Sequence, residues 1–299
     1  MKVLVTGGSG FLGAWIVKRL AQSGHQIRIF DIAANKSLVA EIAGGFADSV
    51  EWRTGDIVEP DHVHGAAEGC DAIIHLAGIL TPDCKTDPIR GAKINLIGTL
   101  NVFEAARRHS IGRIVYTSSA AVYGPTDGHT PRPDTHYGAF KLACEGSARA
   151  YWEDHRLGSF GFRPYVVYGP GRTTGLTAGP SLACRAAARG QPYTIPYSGS
   201  AGLVYVDDVA AAYEAALLRE GDGAHVFNMP GEVASNDQVI AEIRRVVPDA
   251  RIDIAGPALQ FTPDIEQGDL YAVLSGLRRT SLSEGIRQTI AFHKAAPAK

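Results

Sequence analysis

The stretch TGGSGFLG, residues 6–13, decides the fold because it joins an apolar strand to an amphipathic helix through a glycine-rich turn. The strand is KVLVT (2–6), and Gly7, Gly10 and Gly13 follow the spacing GxxGxxG. Glycine at such a turn lets a pyrophosphate approach the backbone, and the helix start offers unpaired N–H groups to the anion. Gly13 is expected to let the helix pack closely on the strand. In this strand–turn–helix context the motif predicts a dinucleotide site, with a purely structural turn as the alternative.

Asp31 ends the second strand, which begins with QIRIF (26–30), and it follows Gly13 by about the 20 residues expected for a ribose-binding acid. Its carboxylate would accept hydrogen bonds from both ribose hydroxyls and would repel a 2′-phosphate. Residues 32–34 supply no arginine for that phosphate, so the sequence predicts NAD rather than NADP. Lys36 is the one nearby cation that would favour NADP.

Asp56 and Ile57 follow the third strand in TGDIVEP (54–60). They are suitably placed to meet the edge and the face of an adenine. An aspartate that merely caps the next helix is an equally good interpretation of Asp56.

Strands and helices alternate through the first half of the chain. Further strands are predicted at VEWR (50–53), AIIHLA (72–77) and RIVYTSS (113–119), with a long helix over about 90–108. This alternation predicts an α/β fold with a Rossmann-like, doubly wound parallel sheet. Glycine, proline and tyrosine become dense from about residue 165, which predicts a smaller C-terminal α/β substrate lobe.

The predicted domains are an NAD-binding domain of residues 1–165 and a substrate-binding lobe of residues 166–299. We expect the two to be interleaved, with a helix or strand of the second half returning to the first domain. The cleft between them is the expected place for a ligand.

Composition excludes several classes of partner and site. The formal net charge is −2 with no basic run, which argues against nucleic acid or an anionic membrane as a partner. No apolar run approaches the roughly 20 residues of a membrane span, and no leader precedes the first strand, so we expect a cytoplasmic protein. The cysteines are far apart and form no CxxC motif, which predicts reduced thiols and no metal site. They are Cys70, Cys84, Cys144 and Cys184.

A serine, a tyrosine and a lysine form the candidate catalytic group. Ser118 and Ser119 end the fifth strand, while Tyr137 and Lys141 lie one helical turn apart in THYGAFK (135–141). A free tyrosine is a poor base near neutral pH because its pKa is about 10, and a nearby ammonium favours the phenolate form. Serine would orient a substrate hydroxyl while tyrosine takes its proton. A chance helical pair is the alternative, and the glycine loop and the serine-ended strand weaken it.

Ten features of the chain stand in an order that resembles the extended short-chain dehydrogenase/reductase family, the NAD-dependent epimerase/dehydratase group. The resemblance covers nearly the whole chain. Its features are TGGSGFLG (6–13), the strand end at Asp31, GDI (55–57), HLAG (75–78), INLIGTLNVFEAAR (94–107), YTSSAAVYG (116–124), YGAFK (137–141), RPYVVYGPG (163–171), VYVDDVA (204–210) and TSLSEGIRQTI (280–290).

The resemblance implies catalytic roles for Ser119, Tyr137 and Lys141, and it selects Ser119 over Ser118. It also implies a homodimer packed through the helices near 90–108 and 137–155. The implied cofactor contacts come from the glycine loop, three strand ends and the catalytic helix. They are Gly7, Gly10, Phe11, Leu12, Gly13, Asp31, Asp56, Ile57, Leu76, Ala77, Gly78, Asn95, Tyr137, Lys141 and Pro164.

The chain departs from nucleotide-sugar members of the family where they bind the sugar nucleotide. Val166 stands where they usually carry asparagine, and two of their usual arginines are absent near 201–203 and 267–269. Arg172 is the remaining well-placed cation, and one arginine suits a carboxylate or a small polar substrate better than a diphosphate. A solvated loop arginine is its alternative interpretation. Tyr193 and Tyr197 would line the pocket or pack the lobe.

These departures favour a dehydrogenase that acts on a small sugar, polyol or hydroxy acid. A nucleotide-sugar 4-epimerase is the alternative, and a catalytically silent cofactor-binding protein is a third. A dehydratase is less favoured, because Ala120 and Ala121 replace the acidic pair of such enzymes. Phe140, where relatives usually carry serine, is expected to pack against a neighbouring helix, at a dimer interface or within the chain, or else to shape the pocket.

Overall fold

A computed structural model of the chain describes residues 1–125, 127–219, 221–259 and 265–295. Twelve strands and twelve α-helices lie in these ranges. The strands are β1 (Lys2–Thr6), β2 (Gln26–Asp31), β3 (Glu51–Thr54), β4 (Ala72–His75), β5 (Ile114–Thr117), β6 (Ser159–Pro164), β7 (Val166–Tyr168), β8 (Tyr193–Ile195), β9 (Ser200–Tyr205), β10 (Ala224–Met229), β11 (Glu232–Ser235) and β12 (Ile252–Ile254). The helices are α1 (Phe11–Gln22), α2 (Ser37–Ala43), α3 (Pro60–Ala67), α4 (Thr81–Thr86), α5 (Pro88–Ala92), α6 (Gly98–Arg108), α7 (His136–His155), α8 (Gly179–Ala188), α9 (Val206–Leu217), α10 (Asn236–Val246), α11 (Leu270–Val273) and α12 (Leu282–Ala295).

Seven parallel strands form the central sheet, in the order β10-β6-β5-β4-β1-β2-β3. The order reverses next to β1, where Val3 pairs with Ile27 on one side and with Ala72 on the other. The α/β prediction with a Rossmann-like parallel sheet is confirmed. At the far edge, Ala224 of β10 pairs with Ser159 of β6, so a strand from the second half of the chain completes the sheet.

Apolar clusters cover both faces of this sheet. On one face, Val5 and Ile29 pack with Ile16 of α1 and Val209 of α9. On the other face, Leu4 and Ile73 pack with helices α3 and α6 through Val63 and Phe103. Strands that are buried on both faces explain why β1 and β4 are nearly continuous apolar runs in the sequence.

The smaller lobe has a core of its own. The three-stranded sheet β11-β9-β7 and the pair β12-β8 pack with α8, α10 and α12. Helix α10 begins where the sequence indicates, because Ser235 and Gln238 form a reciprocal capping box.

The helix expected over about 90–108 is present and contains a π-helical turn. It consists of α5, a π-helical turn at Lys93–Ile97 and α6. The turn contains Asn95, which is fully buried. Such insertions are frequent at functional sites, and hydrophobic spacing does not reveal them.

Candidate active site

The glycine loop is shaped to hold a dinucleotide. Gly7 has φ +68°, and a Cβ there would lie 2.7 Å from the backbone nitrogen of Ala77. A Cβ at Gly13 would lie 2.6 Å from the backbone of Gly8, so this glycine lets the helix meet the loop rather than the strand. Gly10 is exposed at the start of α1, where no side chain caps the helix. These features fit a pyrophosphate at the helix N-terminus.

Asp31 lies next to this loop at the end of β2. One of its oxygens accepts hydrogen bonds from Ser9 N (3.1 Å) and Ser9 Oγ (2.5 Å), and the other accepts from Ile32 N (2.8 Å). The carboxylate therefore faces the glycine loop, as a ribose-binding acid requires. The ammonium of Lys36 lies 5.7 Å from the centre of the Trp52 ring, on neighbouring β3.

The remaining predicted cofactor residues lie around the same sheet edge. Asp56 accepts a 3.1 Å hydrogen bond from Val58 N, which closes a turn before α3; it does not cap that helix, because the N-cap residue of α3 is Glu59. Ile57 is buried against Gly98 of α6. Leu76 and Ala77 continue β4 alongside β1 through hydrogen bonds to Thr6. Phe11 and Leu12 pack on the core at the start of α1, and Pro164 is buried at the end of β6.

Asn95 holds the loop that follows β4. Its side chain accepts from Ile79 N (3.1 Å) and donates to Ile79 O (3.0 Å). A Cβ at Gly78 would lie 2.6 Å from Asn95 Oδ1 and 3.8 Å from Lys141 Nζ. The π-helical turn thus fixes the loop backbone close to Lys141, the candidate catalytic lysine.

Tyr137 and Lys141 occupy the first turns of α7. They lie beside Ser118 and Ser119, which directly follow β5 and are called the serine segment below. The ammonium of Lys141 donates to Thr117 O at 2.7 Å and lies 5.8 Å from the centre of the Tyr137 ring. Thr135 caps the helix by accepting from Gly138 N at 3.1 Å. Lysine, tyrosine and the end of β5 therefore meet at one place.

Gly138 allows helix α7 to lie close to the segment that follows β5. This glycine was not identified from the sequence. Any Cβ at this position would collide with the carbonyl oxygen of Ala121, two residues after Ser119. The available signal was a glycine directly after the candidate tyrosine, inside a helix where glycine is otherwise unfavourable.

The two serines have different surroundings. Ser118 is buried, and its Oγ donates to Glu145 Oε1 at 2.5 Å. Ser119 is half-buried, and its Oγ accepts from Ala121 N at 3.1 Å. Ser119 is therefore the less buried of the two serines, and its catalytic role stays a prediction.

Phe140 packs within the chain. Its ring stacks on His136 with centres 6.1 Å apart, and a Cβ at Gly91 of α5 would lie 3.1 Å from the ring. The small residue on α5 makes room for the ring, so Phe140 fills a helix–helix contact.

Besides Ser119, the four other candidate substrate residues lie in the smaller lobe. Val166 and Tyr197 are buried in its core, and Tyr193 is half-buried on β8. Burial raises the pKa of Tyr197 to about 12, whereas the charge of Arg172 acts in the opposite direction. Arg172 and Tyr197 therefore lie close enough to interact electrostatically.

Arg172 is a half-buried cation of the loop that follows β7. Its guanidinium donates to Val167 O and to Thr177 Oγ1 (2.8 Å), and among the described residues it forms no ion pair. Burial lowers the pKa of Arg172 to about 10, and the opposing influences come from Tyr197 and Tyr137. The side chain thus remains charged at neutral pH within electrostatic reach of Tyr137.

No helix within the described ranges combines the length and the apolar character needed to cross a bilayer. Across those residues, no three His, Cys, Asp or Glu side chains come together to hold a metal ion.

Comparisons with known proteins match the chain to one family. The model of the NAD dependent epimerase/dehydratase family matches residues 3–229. Uronate dehydrogenase of Pseudomonas syringae pv. tomato is 33% identical over 169 residues, which cover 54% of this chain and 58% of that protein. UDP-glucose 4-epimerase of Mycolicibacterium smegmatis is 30% identical over 98% of this chain and 99% of that protein.

One of the similar solved structures contains NAD. The UDP-glucose 4-epimerase of Thermus thermophilus, in complex with NAD, has a TM-score of 0.84 and 25% identity, covering 99% of this chain and 100% of that one. The glycine loop, Asp31 and the Tyr137–Lys141 helix fit the same cofactor. The chain belongs to the NAD-dependent epimerase/dehydratase family of extended short-chain dehydrogenases/reductases, and NAD is its cofactor.

Proposed function

We propose that the protein is an NAD-dependent dehydrogenase or reductase that interconverts a secondary alcohol and a ketone in a small sugar, polyol or hydroxy acid. Among these substrates we favour one that carries a carboxylate. The observation that carries the proposal is the half-buried Arg172 guanidinium, which forms no ion pair among the described residues and interacts electrostatically with Tyr197 and Tyr137.

A desolvated guanidinium without a counter-ion is energetically unfavourable unless an anion approaches it. The planar guanidinium of Arg172 is suited to a carboxylate, which it can bind in a bidentate manner. A nucleotide diphosphate would need more cations than this one. The similarity to a uronate dehydrogenase supports the same substrate class.

The proposed chemistry divides a hydride and a proton between two acceptors. When NAD is bound, it supplies the acceptor for the hydride from the carbinol carbon, or the donor in the reverse direction. The phenolic oxygen of Tyr137 takes the hydroxyl proton as the carbon–oxygen double bond forms. Ser119 Oγ binds and orients the substrate oxygen. The ammonium of Lys141 stabilises the negative form of the tyrosine.

A UDP-hexose 4-epimerase is the second candidate. The UDP-glucose 4-epimerase relative aligns along 98% of this chain, whereas the uronate dehydrogenase aligns along 54%. Against it stand apolar Val166, which packs into the lobe core, and the absence of two of the usual arginines. The missing cations leave the first proposal better supported by the residues themselves.

A substrate panel separates the two candidates. The purified protein is incubated with NAD and, separately, with uronates, hydroxy acids, neutral polyols and UDP-glucose, while the absorbance of reduced nicotinamide is followed. Net reduction of NAD with an acidic substrate supports the dehydrogenase. Conversion of UDP-glucose to UDP-galactose without net reduction of NAD would refute it.

Tyr137→Phe tests the proposed proton acceptor. We expect a loss of turnover of about 100-fold or more with nearly unchanged NAD affinity, because only the phenolic oxygen is removed. Tyr151→Phe is the matched control, since the Tyr151 hydroxyl donates to Glu104 (2.8 Å) and not to the serine segment. Normal turnover in Tyr137→Phe would overturn the assignment.

A further inference from the structure

Glu145 and Arg163 form a buried ion pair directly behind the serine segment. Arg163 donates from Nε to Glu145 Oε1 (2.7 Å) and from Nη2 to Oε2 (2.6 Å). The side chains are 7% (Glu145) and 14% (Arg163) exposed. Desolvation makes such a pair a weak source of stability, but its two parallel hydrogen bonds fix position and orientation.

Glu145, one member of the pair, binds the residue before Ser119. Ser118 Oγ donates to Glu145 Oε1 at 2.5 Å. Glu145 follows Lys141 by four residues, so both side chains lie on the same face of α7. Since Lys141 holds Thr117 O, helix α7 is bonded to two consecutive residues immediately before Ser119.

Arg163, the other member of the pair, binds Tyr123. This tyrosine follows the short 3-10 turn that begins after Ser119, which is called the serine turn below. Arg163 Nη1 donates to Tyr123 OH at 2.6 Å, and that hydroxyl donates to Asn228 Oδ1 at 2.9 Å. Tyr123 is 2% exposed and comes directly after the 3-10 turn at Ala120–Val122. Asn228 Nδ2 in turn donates to Glu266 O at 2.8 Å. The network thus reaches a segment that precedes α11.

We propose that the Glu145–Arg163 pair positions Ser119. By holding Ser118 on one side and Tyr123 on the other, the pair sets the place of the serine turn relative to helix α7, which carries the tyrosine base. This inference rests on the proposed catalytic roles of serine and tyrosine. Neither member of the pair is a catalytic residue.

Glu145→Gln is the principal test. Glutamine retains an acceptor for Ser118 but removes the charge that orients Arg163. We expect kcat per folded enzyme to fall about tenfold or more, since misplacement of a reacting group by about 1 Å can cost about 100-fold in rate. The NAD dissociation constant, measured by titration, should change by less than about twofold.

Glu51→Gln is the matched control. It removes the carboxylate that pairs with the buried Arg28 (3.0 Å) at the opposite edge of the sheet, away from the serine turn. A merely structural role predicts that both variants lower the melting temperature and leave kcat unchanged. A positioning role predicts that only Glu145→Gln lowers kcat.

Hydrogen–deuterium exchange gives a readout independent of activity. Glu145→Gln should raise the exchange rate of the peptide that contains residues 118–124, and Glu51→Gln should not. Tyr123→Phe, which removes one hydroxyl, decides the question if Glu145→Gln does not fold. We expect it to show the same loss of kcat and the same local exchange.

The outcomes separate this inference from the proposed function. Unchanged kcat and exchange in Glu145→Gln, or in Tyr123→Phe if it replaces that variant, overturn the positioning role alone, provided Tyr137→Phe is inactive. Normal turnover in Tyr137→Phe overturns both proposals. A loss of kcat together with faster exchange at 118–124 supports the positioning role.

Discussion

The ammonium of Lys141 lies 2.7 Å from the carbonyl oxygen of Thr117, the last residue of β5. The lysine is 4% exposed, so its charge is held between the catalytic helix and the sheet edge. This contact explains how a lysine one turn after Tyr137 is kept beside it.

Lys141→Met should lower kcat by about 100-fold, because it removes both the charge near Tyr137 and the contact with β5. Steady-state kinetics with saturating NAD measure the effect. The matched control is Lys18→Met, since the Lys18 ammonium lies over the Trp15 ring at 4.6 Å on α1. Equal kinetics in the two variants would contradict the assignment.

Arg172→Met should lower kcat/KM for an acidic substrate by about 10- to 100-fold, the range for loss of a hydrogen bond to a charged group. Turnover of a neutral polyol should change little, and so should the affinity for NAD. Arg189→Met provides the control because Arg189 is exposed just after α8 in the same lobe. A uniform loss for acidic and neutral substrates would contradict carboxylate binding.

Asp31→Ala should weaken NAD binding by about 10- to 100-fold and reduce discrimination against NADP, because the carboxylate that repels a 2′-phosphate is lost. Titration with both cofactors measures the ratio of dissociation constants. Ser9→Ala isolates the loop contact, since it removes only the Oγ donor to Asp31. If Asp31→Ala preserved the NAD preference, specificity would have to come from other residues.

Gly13→Ala should abolish or strongly weaken NAD binding, because its Cβ would lie 2.6 Å from the Gly8 backbone and displace the loop. Gly65→Ala in α3 is the control, since no atom lies within 4 Å of a Cβ there. That variant should gain about 0.5–1 kcal/mol of stability from the better helix propensity of alanine. Thermal unfolding with and without NAD distinguishes the two effects.

His75 should make the protein less stable in acid. Its ring bonds Thr6 Oγ1 (2.7 Å) and Thr99 Oγ1 (3.0 Å), and burial, followed by the charge of Lys141, lowers its pKa to about 3. The unfolded chain, with a histidine pKa of about 6.5, binds more protons between those two values. The contribution of His75 to the free energy of unfolding is therefore fully present above about pH 6.5. As the pH is lowered from there toward about 3, the free energy of unfolding decreases by up to about 1.4 kcal/mol per pH unit.

Urea unfolding of the wild type and of His75→Gln at about pH 7 and about pH 4.5 tests this dependence. Glutamine cannot protonate, so the variant should be less stable at neutral pH but lose less on acidification. His293, with its pKa lowered to about 4 chiefly by burial, contributes with the same sign and is present in both proteins. An equal loss in the two proteins would show that His75 does not govern the acid sensitivity.

The part of the candidate site that could be predicted consists of residues that form short patterns along the sequence. A glycine loop between a strand and a helix, an acid at the next strand end and a tyrosine four residues before a lysine are each visible in the sequence. Asp31 and Lys141 were predicted as site residues in this way, and the parallel sheet, which the structure confirms, was predicted from alternating strands and helices. The helix over 90–108 was predicted without its π-helical turn, because apolar spacing does not distinguish such a turn from the helix around it.

The sequence by itself determined the fold class, the cofactor and the candidate catalytic set, because backbone sterics and the spacing of polar residues act over a few positions. Only the tertiary structure decided which serine bonds to Glu145, what Phe140 contacts and which half-buried cation forms no ion pair among the described residues. Those properties depend on residues far apart in the chain: Glu145 for Ser118, Gly91 for Phe140 and the absence of a carboxylate beside Arg172 among the described residues. Packing and desolvation arise when such residues meet, so no local pattern encodes them.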